Sequence, residues 1–188
     1  MDIPNPAYVA YLSEILVGSD AIQKRVQALG QEISQFYENA PDLLLVCVLK
    51  GGVMFLTDLM RHVSVPHAID FMAVSSYGAG ARRSSGSVRI MMDLGQDISG
   101  RDVLIVEDII DSGHTLDYII DQLRARKPAS LRVCSLLSKP ERREVDIQID
   151  FLGFEIPDKF VFGYGLDLDE KFRNLPFIGV AKPGVMIE

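Results

Sequence analysis

The chain has 188 residues, of which 48% are hydrophobic and 24% charged, and its formal net charge is −7. These values favour one folded domain over residues 1–188, and they argue against membrane association because no apolar run reaches the roughly 18–20 residues that cross a bilayer. The N-terminus lacks a secretory signal pattern, so we expect a cytoplasmic protein, and the acidic balance argues against a nucleic-acid-binding surface.

Apolar periodicity predicts helices that alternate with strands along most of the chain. In order, the pattern predicts a helix from Ser19 to near Asn39, a strand Leu43–Leu49, a helix to about His62, strands Ile69–Val74, Val88–Met92 and Val103–Val106, a helix to about Lys127, a strand Leu131–Leu137, and apolar stretches Phe151–Phe154, Phe160–Tyr164 and Phe177–Val180. This alternation indicates an α/β fold with a mostly parallel sheet covered on both faces. Cys47 and Cys134 lie inside strand-like runs without metal-ligand spacing, so we expect them to pack as small apolar side chains.

The segments outside this alternation are predicted to form a separate layer. The start of the chain and the residues after Ser138 do not fit the repeat. We therefore expect a core of about residues 19–138, and a small hood over the C-terminal edge of its sheet, built from the N-terminal segment and about residues 139–188.

The stretch from Val103 to Leu116 carries the clearest chemical signal. A continuous apolar strand, Val103–Val106, leads into a short polar loop, and Thr115 stands where the N-cap of the next helix is expected. Backbone amides at a helix N-terminus form an anion site. Gly113 allows close approach to a ligand and Ser112 adds a hydroxyl donor, so the loop favours a phosphate monoester.

Glu107 and Asp108 follow the same strand directly. Two adjacent carboxylates are costly to bury, and the common partners that offset this cost are a hard cation such as Mg²⁺ or the hydroxyls of a sugar. The alternative interpretation is an ordinary strand and capped helix with solvated acids. The coincidence of acids, glycine and hydroxyls at the ligand-binding edge of an α/β sheet favours the functional interpretation.

Other segments carry weaker signals. Lys50-Gly51-Gly52 is a strand-to-helix turn that offers amides and a cation, although a plain glycine turn has the same pattern. Lys139 follows a strand end, so its side chain can project into a cleft. The loop 75–87 is either an active-site cover or a surface loop, and its glycine spacing rules out a dinucleotide fingerprint.

The stretch around Glu107 and Asp108 resembles the phosphoribosyl-pyrophosphate-binding motif of the type I phosphoribosyltransferases. Further matches, in order and spacing over about residues 40–180, resemble the hypoxanthine (guanine) phosphoribosyltransferases. These matches are Leu49-Lys50-Gly51-Gly52, Ser75-Ser76-Tyr77-Gly78, Ser138-Lys139, Ile156-Pro157-Asp158-Lys159-Phe160-Val161 and Gly165-Leu166-Asp167. The resemblance implies the type I phosphoribosyltransferase fold, a twisted, mostly parallel sheet with flanking helices and a hood.

The resemblance also implies roles for individual residues. In this interpretation Asp111 is the candidate general base, and the loop Asp111–Thr115, with Ser112, Gly113 and His114, binds the 5'-phosphate. Ile109 and Ile110 are further substrate-binding residues. The resemblance implies pyrophosphate contacts at Lys50, Gly51, Ser76, Tyr77 and Arg173, with a peptide between Leu49 and Lys50 that is often cis. It implies metal ligands at Glu107, Asp108 and Asp167, and purine contacts at Lys139, Phe160 and Val161.

The side chain of His114 and several other charged side chains are given no such role. His114 occupies a position where the family also has Lys or Asn, so whether it adds charge to the phosphate site is left open. We interpret the remaining charges of the C-terminal third as solvated. These are Arg142, Arg143, Asp169, Glu170 and Lys171.

The resemblance implies Mg²⁺-dependent transfer of a phosphoribosyl group from phosphoribosyl pyrophosphate to N9 of hypoxanthine or guanine, by a homodimer or homotetramer. One alternative is a regulator that keeps this fold and binds nucleic acid, against which the acidic balance argues. Another is a transferase that prefers xanthine or a 6-aminopurine, although Lys139 disfavours a 6-amino base. The residues alone do not rank hypoxanthine, guanine and xanthine.

Overall fold

The structure is a computed structural model that describes residues 6–76 and 88–184. Single turns of 3₁₀ helix lie at Pro6–Ala10, Met60–His62 and Pro140–Arg142. The helices are α1 (Ser19–Phe36), α2 (Val53–Leu59) and α3 (His114–Arg124). The strands are β1 (Leu12–Val17), β2 (Leu43–Leu49), β3 (His67–Ser76), β4 (Val88–Met92), β5 (Asp102–Ile110), β6 (Ser130–Ser138), β7 (Phe151–Glu155), β8 (Val161–Phe162) and β9 (Ile178–Ala181). None of the helices in these two ranges is both long and apolar enough to span a bilayer.

A six-stranded sheet in the order β4-β3-β2-β5-β6-β7 forms the centre of the fold. Its neighbouring strands are parallel except for β4, which pairs antiparallel with β3 at one edge. Parallel neighbours place their carboxyl ends at one edge of the sheet, which is where such folds bind ligands. The predicted α/β class with a mostly parallel sheet is confirmed.

The sheet separates two hydrophobic cores, as expected for strands that are buried on both faces. In β2, Leu45 and Cys47 pack with α1 and α2, whereas Leu44 and Val46 pack on the opposite face with α3. Cys134 is buried in the same core as Cys47, so the predicted packing role of both cysteines is confirmed.

The start of α3 differs from the sequence prediction. The helix begins at His114, and its N-cap is Gly113 with a left-handed φ of 96°. The predicted N-cap at Thr115 is therefore wrong. A glycine adopts this backbone conformation at little steric cost, so the chain turns into the helix two residues earlier than the hydroxyl pattern indicates.

A second sheet, in the order β1-β9-β8, joins the two ends of the chain. Its pairs are antiparallel, and a small core of Phe162, Leu168, Leu175 and Phe177 lies against it. These strands come from the two segments for which we predicted the hood. The second sheet carries Val161 and the neighbouring Phe160, whose carbonyl accepts a hydrogen bond of 2.9 Å from the Ala181 amide.

Candidate active site

The loop after β5 presents unpaired backbone amides. The Gly113 carbonyl accepts the first helical hydrogen bond, from the Asp117 amide at 2.9 Å. In the described ranges, no acceptor faces the amides of His114, Thr115 and Leu116. These donors point out of the positive end of α3, so the loop has the geometry of an anion site.

The segment after β6 holds this loop in place. The Glu144 amide donates to the Ser112 carbonyl at 2.9 Å, and Arg143 Nε donates to the Asp111 carbonyl at 3.3 Å. Arg143 Nη2 also donates to Ser138 Oγ at 2.8 Å. Our interpretation of Arg143 as a solvated charge is wrong, because its guanidinium fixes the backbone on which the anion site depends.

His114 pairs with an acid outside the loop. Its Nε2 lies 2.9 Å from Glu144 Oε2, and both side chains are partly exposed. The backbone amides of the loop therefore do not need the imidazole for their own orientation.

Glu107 and Asp108 lie at the carboxyl end of β5, next to this loop. Glu107 Oε2 is buried without a hydrogen-bond partner among residues 6–76 and 88–184, whereas Asp108 Oδ1 accepts a hydrogen bond of 2.8 Å from the Ile109 amide. Burial raises the pKa of both carboxyls, and the adjacent Asp108 raises the pKa of Glu107 further. An unpartnered buried carboxylate oxygen is a candidate ligand for a cation or a hydroxyl.

This burial predicts a gain of stability on removing the Glu107 charge. When folding raises the pKa of a carboxyl, the group contributes fully to stability at pH values below its pKa in the unfolded chain. This contribution to the free energy of unfolding is lost as the pH rises through the pKa of the folded state. Glu107→Gln has no such loss, so we expect its free energy of unfolding to exceed that of the wild type by about 0.5–2 kcal/mol at pH 7 without ligand or metal. Near pH 4 the difference should vanish. Urea unfolding at both pH values measures it.

The control for this prediction is Glu155→Gln, at the exposed end of β7. It should leave the unfolding free energy within about 0.5 kcal/mol of the wild type at both pH values. An equal gain for Glu107→Gln at pH 4 and pH 7 would contradict the electrostatic explanation.

A cluster of charges lies beside the turn after β2. The peptide between Leu49 and Lys50 is cis, as the resemblance implied. Lys50 Nζ lies 2.9 Å from Glu170 Oε2, and Arg173 Nη2 lies 3.2 Å from the same oxygen and 2.9 Å from Asp167 Oδ1. Glu170 is exposed, as our interpretation of it as a solvated charge implied, but its carboxylate is also paired with both cations.

Glycines allow the backbone of this turn to lie against its neighbours. A Cβ atom on Gly51 would overlap the Asp108 carboxylate, and one on Gly165 would overlap the Gly51 carbonyl. Gly165 also has a left-handed φ of 99°. The turn after β2, the end of β5 and the segment around Gly165 thus meet with no room for side chains between them.

A cavity of about 1180 Å³ opens next to the anion loop, between the central sheet and the hood. Lys139 lines it and is only 6% exposed, yet its Nζ lies 3.6 Å from Asp158 Oδ1 and 4.0 Å from Asp111 Oδ2, beyond hydrogen-bond distance. Phe160 lines the same cavity and is 62% exposed, while Val161 is buried. A desolvated ammonium beside an open aromatic ring suits a flat, polar-edged ligand.

Arg142 connects the carboxylates that flank Lys139. Its Nε lies 2.9 Å from Asp111 Oδ1 and its Nη1 lies 3.5 Å from Asp158 Oδ1. The contact with Asp111 is an ion pair without the alignment of a hydrogen bond, since Asp111 Oδ1 has no hydrogen-bond partner in the part of the chain that the structure describes. Arg142 is 45% exposed, in keeping with its interpretation as a solvated charge, but it is also paired with both carboxylates. In the sequence, the only indication of these contacts is that Arg142 lies three residues after Lys139, which directly follows β6.

Residues 15–171 match the family model of the phosphoribosyl transferase domain. The chain belongs to the phosphoribosyltransferase family. Hypoxanthine-guanine phosphoribosyltransferases from Mycobacterium avium and Bacillus subtilis are 49% and 48% identical to it, over 97% and 93% of this chain and 92% and 96% of their own lengths. The crystal structure of a hypoxanthine phosphoribosyltransferase from Staphylococcus aureus matches with a TM-score of 0.91 at 44% identity, and covers 96% of this chain and 97% of that one.

In this phosphoribosyltransferase, most of the residues predicted for the site lie at one edge of the central sheet. The described residues bring together the anion loop, the acidic pair, the turn at Lys50 and Gly51, Asp167 with Arg173, and the cavity at Lys139, Phe160 and Val161. The backbone of Ser76 ends β3, but its side chain and all of Tyr77 lie outside the described residues. Within the described residues, no three acidic, histidine or cysteine side chains are close enough to hold a metal by themselves.

Proposed function

We propose that this enzyme transfers the phosphoribosyl group of phosphoribosyl pyrophosphate to N9 of hypoxanthine or guanine, with Mg²⁺, and releases pyrophosphate. The observation that carries this proposal is Lys139, which is only 6% exposed and whose ammonium has no acceptor within hydrogen-bond distance among the described residues, in the same cavity as the exposed ring of Phe160. A 6-oxo group accepts a hydrogen bond from such an ammonium, whereas a 6-amino group would face it with its own donors. The names of the similar relatives support the same acceptor.

The donor's 5'-phosphate fits the loop Asp111–Thr115. The amides of His114 and Thr115 have no acceptor in the described part of the chain, and the Ser112 and Thr115 hydroxyls add donors at the positive end of α3. Ile109 and Ile110 bring the chain into this loop from β5. Arg143 and Glu144 hold the loop backbone, so these donors are oriented before the ligand arrives.

The acidic pair is suited to the ribose hydroxyls and to a divalent cation. The unpartnered Glu107 oxygen fits a hard cation, and Asp108 and Asp167 would be its companion ligands. Since these carboxylates do not form a complete cluster, the remaining positions would be filled by donor oxygens and water. When bound, Mg²⁺ would act as a Lewis acid that neutralises charge on the leaving pyrophosphate.

The protein's own cations are proposed to bind the pyrophosphate. Lys50 and Arg173 converge on Glu170 beside the turn that contains Gly51, and the absence of a Gly51 side chain lets this turn pack against the Asp108 carboxylate. Ser76 and Tyr77 complete this contact in the proposal. As the bond to the anomeric carbon lengthens, positive charge develops on the sugar, and nearby Glu107 and Asp108 would stabilise it.

Asp111 is the proposed general base. Asp111 is the first residue of the loop Asp111–Thr115 and also lines the cavity at Lys139. There its carboxylate would accept a proton from a purine ring nitrogen as N9 attacks. Phe160 would stack on the purine and Val161 would contact its edge through the backbone. Together they would keep water away from the reacting carbon.

A coupled assay tests this proposal directly. The enzyme is given phosphoribosyl pyrophosphate and MgCl₂ with hypoxanthine, guanine, xanthine or adenine, and nucleotide formation is followed for each base. We expect turnover with hypoxanthine or guanine, and little with adenine. Absence of turnover with every 6-oxopurine would contradict the proposal, and preference for xanthine would establish the alternative transferase.

Three further expectations stay predictions: a cytoplasmic location, a homodimer or homotetramer, and no binding of nucleic acid. The alternative of a nucleic-acid-binding regulator predicts retention of cellular RNA in a filter-binding assay at physiological salt. The acidic net charge of −7 favours no retention.

A further inference from the structure

The Glu170 carboxylate makes an unusual pair of contacts for an exposed acid. A single oxygen, Oε2, lies 2.9 Å from Lys50 Nζ and 3.2 Å from Arg173 Nη2. Lys50 is 120 residues away in the sequence and belongs to a different loop. Both cations are those that the proposed function assigns to pyrophosphate, so an anionic oxygen already lies between them.

Arg173 does not depend on Glu170 for its position. Its Nη1 donates to the Gly165 carbonyl at 2.8 Å and its Nη2 lies 2.9 Å from Asp167 Oδ1. For Lys50, by contrast, Glu170 is the one acidic partner within the described residues. Removing the Glu170 charge would therefore free the Lys50 ammonium and leave the Arg173 guanidinium in place.

The turn that carries Glu170 holds it in this position. The Glu170 amide donates to Asp167 Oδ2 at 2.8 Å, and Asp169 and Glu170 have left-handed φ values of 50° and 62°. The neighbouring Asp169 carboxylate contacts neither Lys50 nor Arg173 among the described residues. Two adjacent acids thus differ in whether they contact the two cations.

We infer that the Glu170 carboxylate occupies the position that a pyrophosphate oxygen takes between Lys50 and Arg173, so that the donor binds by displacing this carboxylate. The inference rests on the proposed function, because that function assigns Lys50 and Arg173 to pyrophosphate. Pyrophosphate brings more charge and more oxygens than one carboxylate, so it outcompetes Glu170. The competition nevertheless weakens the apparent affinity of the enzyme for pyrophosphate. The Glu170 carboxylate also keeps Lys50 next to Arg173 before the donor arrives.

The expected size of this competition is modest. The Lys50 and Glu170 side chains are 68% and 64% exposed, so solvent screens their attraction. We therefore expect loss of the Glu170 charge to change the dissociation constant of pyrophosphate by about two- to tenfold. Glu170 is therefore expected to set donor affinity without making binding impossible.

The test is calorimetric titration of inorganic pyrophosphate, in MgCl₂, into the wild-type enzyme and Glu170→Gln. Glutamine keeps the size of the side chain and removes its charge. We expect Glu170→Gln to bind pyrophosphate about two- to tenfold more tightly, with unchanged affinity for a nucleoside monophosphate that lacks the pyrophosphate. Glu170→Ala should show the same direction, which guards against a folding defect in one variant.

The matched control is Asp169→Asn, which removes an equal charge one residue away. Asparagine tolerates the left-handed backbone of this position. An equal gain for Asp169→Asn would reduce the effect to general electrostatics and overturn the inference. Unchanged or weaker binding by Glu170→Gln would also overturn it, whereas failure of the wild type to bind pyrophosphate at all would instead remove the proposed function.

Discussion

Asp111→Asn is expected to lower kcat by about 10²–10⁴-fold while the affinity for a nucleoside monophosphate changes little. Asparagine keeps the shape of the side chain but does not accept the proton that leaves the purine ring nitrogen. The Asp111 carbonyl still accepts a hydrogen bond from Arg143, so the phosphate loop keeps its backbone. Steady-state kinetics with hypoxanthine and calorimetric titration of product nucleotide measure the two quantities.

The control for this experiment is Asp121→Asn on α3. Its side chain is 65% exposed and its contact is an ion pair of 3.4 Å to Arg124, so kcat should be unchanged. Thermal melting of both variants shows whether each is folded. Turnover of Asp111→Asn at the wild-type rate would exclude Asp111 as the general base.

Gly165→Ala is expected to lower the free energy of unfolding by several kcal/mol and to weaken pyrophosphate binding. An alanine at its φ of 99° costs about 1–2 kcal/mol. The added methyl group would also overlap the Gly51 carbonyl, and such overlap costs about 1–3 kcal/mol more when neighbours must shift. Because Gly51 lies in the turn at Lys50, the shift would reach the pyrophosphate contacts. Urea unfolding and pyrophosphate titration measure both effects.

Gly100→Ala separates the two causes. Gly100 also has a left-handed φ, 74°, but no atom lies within 4 Å of its added Cβ. This variant should lose only the backbone contribution and bind pyrophosphate as the wild type does. Equal destabilisation of the two variants would show that the contact between Gly165 and Gly51 has no energetic weight.

The central sheet could be predicted from the sequence because strands that are buried on both faces appear as continuous apolar runs. The run Leu43–Leu49 is apolar at every position, and its alternate side chains enter two different cores. The resemblance added the identity of the sheet edge at which ligands bind. The position of Lys139 follows from that edge, because Lys139 comes directly after β6.

The charges around the cavity were harder to predict because their partners are distant in sequence. Glu170 meets Lys50 across 120 residues, and Arg142 meets Asp111 only because the segment after β6 folds back over the loop. Nothing local distinguishes these side chains from other surface charges. The error at Thr115 has a different origin, since a left-handed glycine moved the helix start toward Gly113.

The second sheet has a consequence for the order in which this enzyme becomes competent during synthesis. Strand β8, next to the aromatic platform at Phe160, pairs with β9, and β9 pairs with β1 from the other end of the chain. Lys182 then donates from its side chain to the carbonyls of Val9 and Ala10. A nascent chain that has not yet released residues 178–182 from the ribosome lacks β9, so it lacks the sheet that carries one side of the proposed purine pocket.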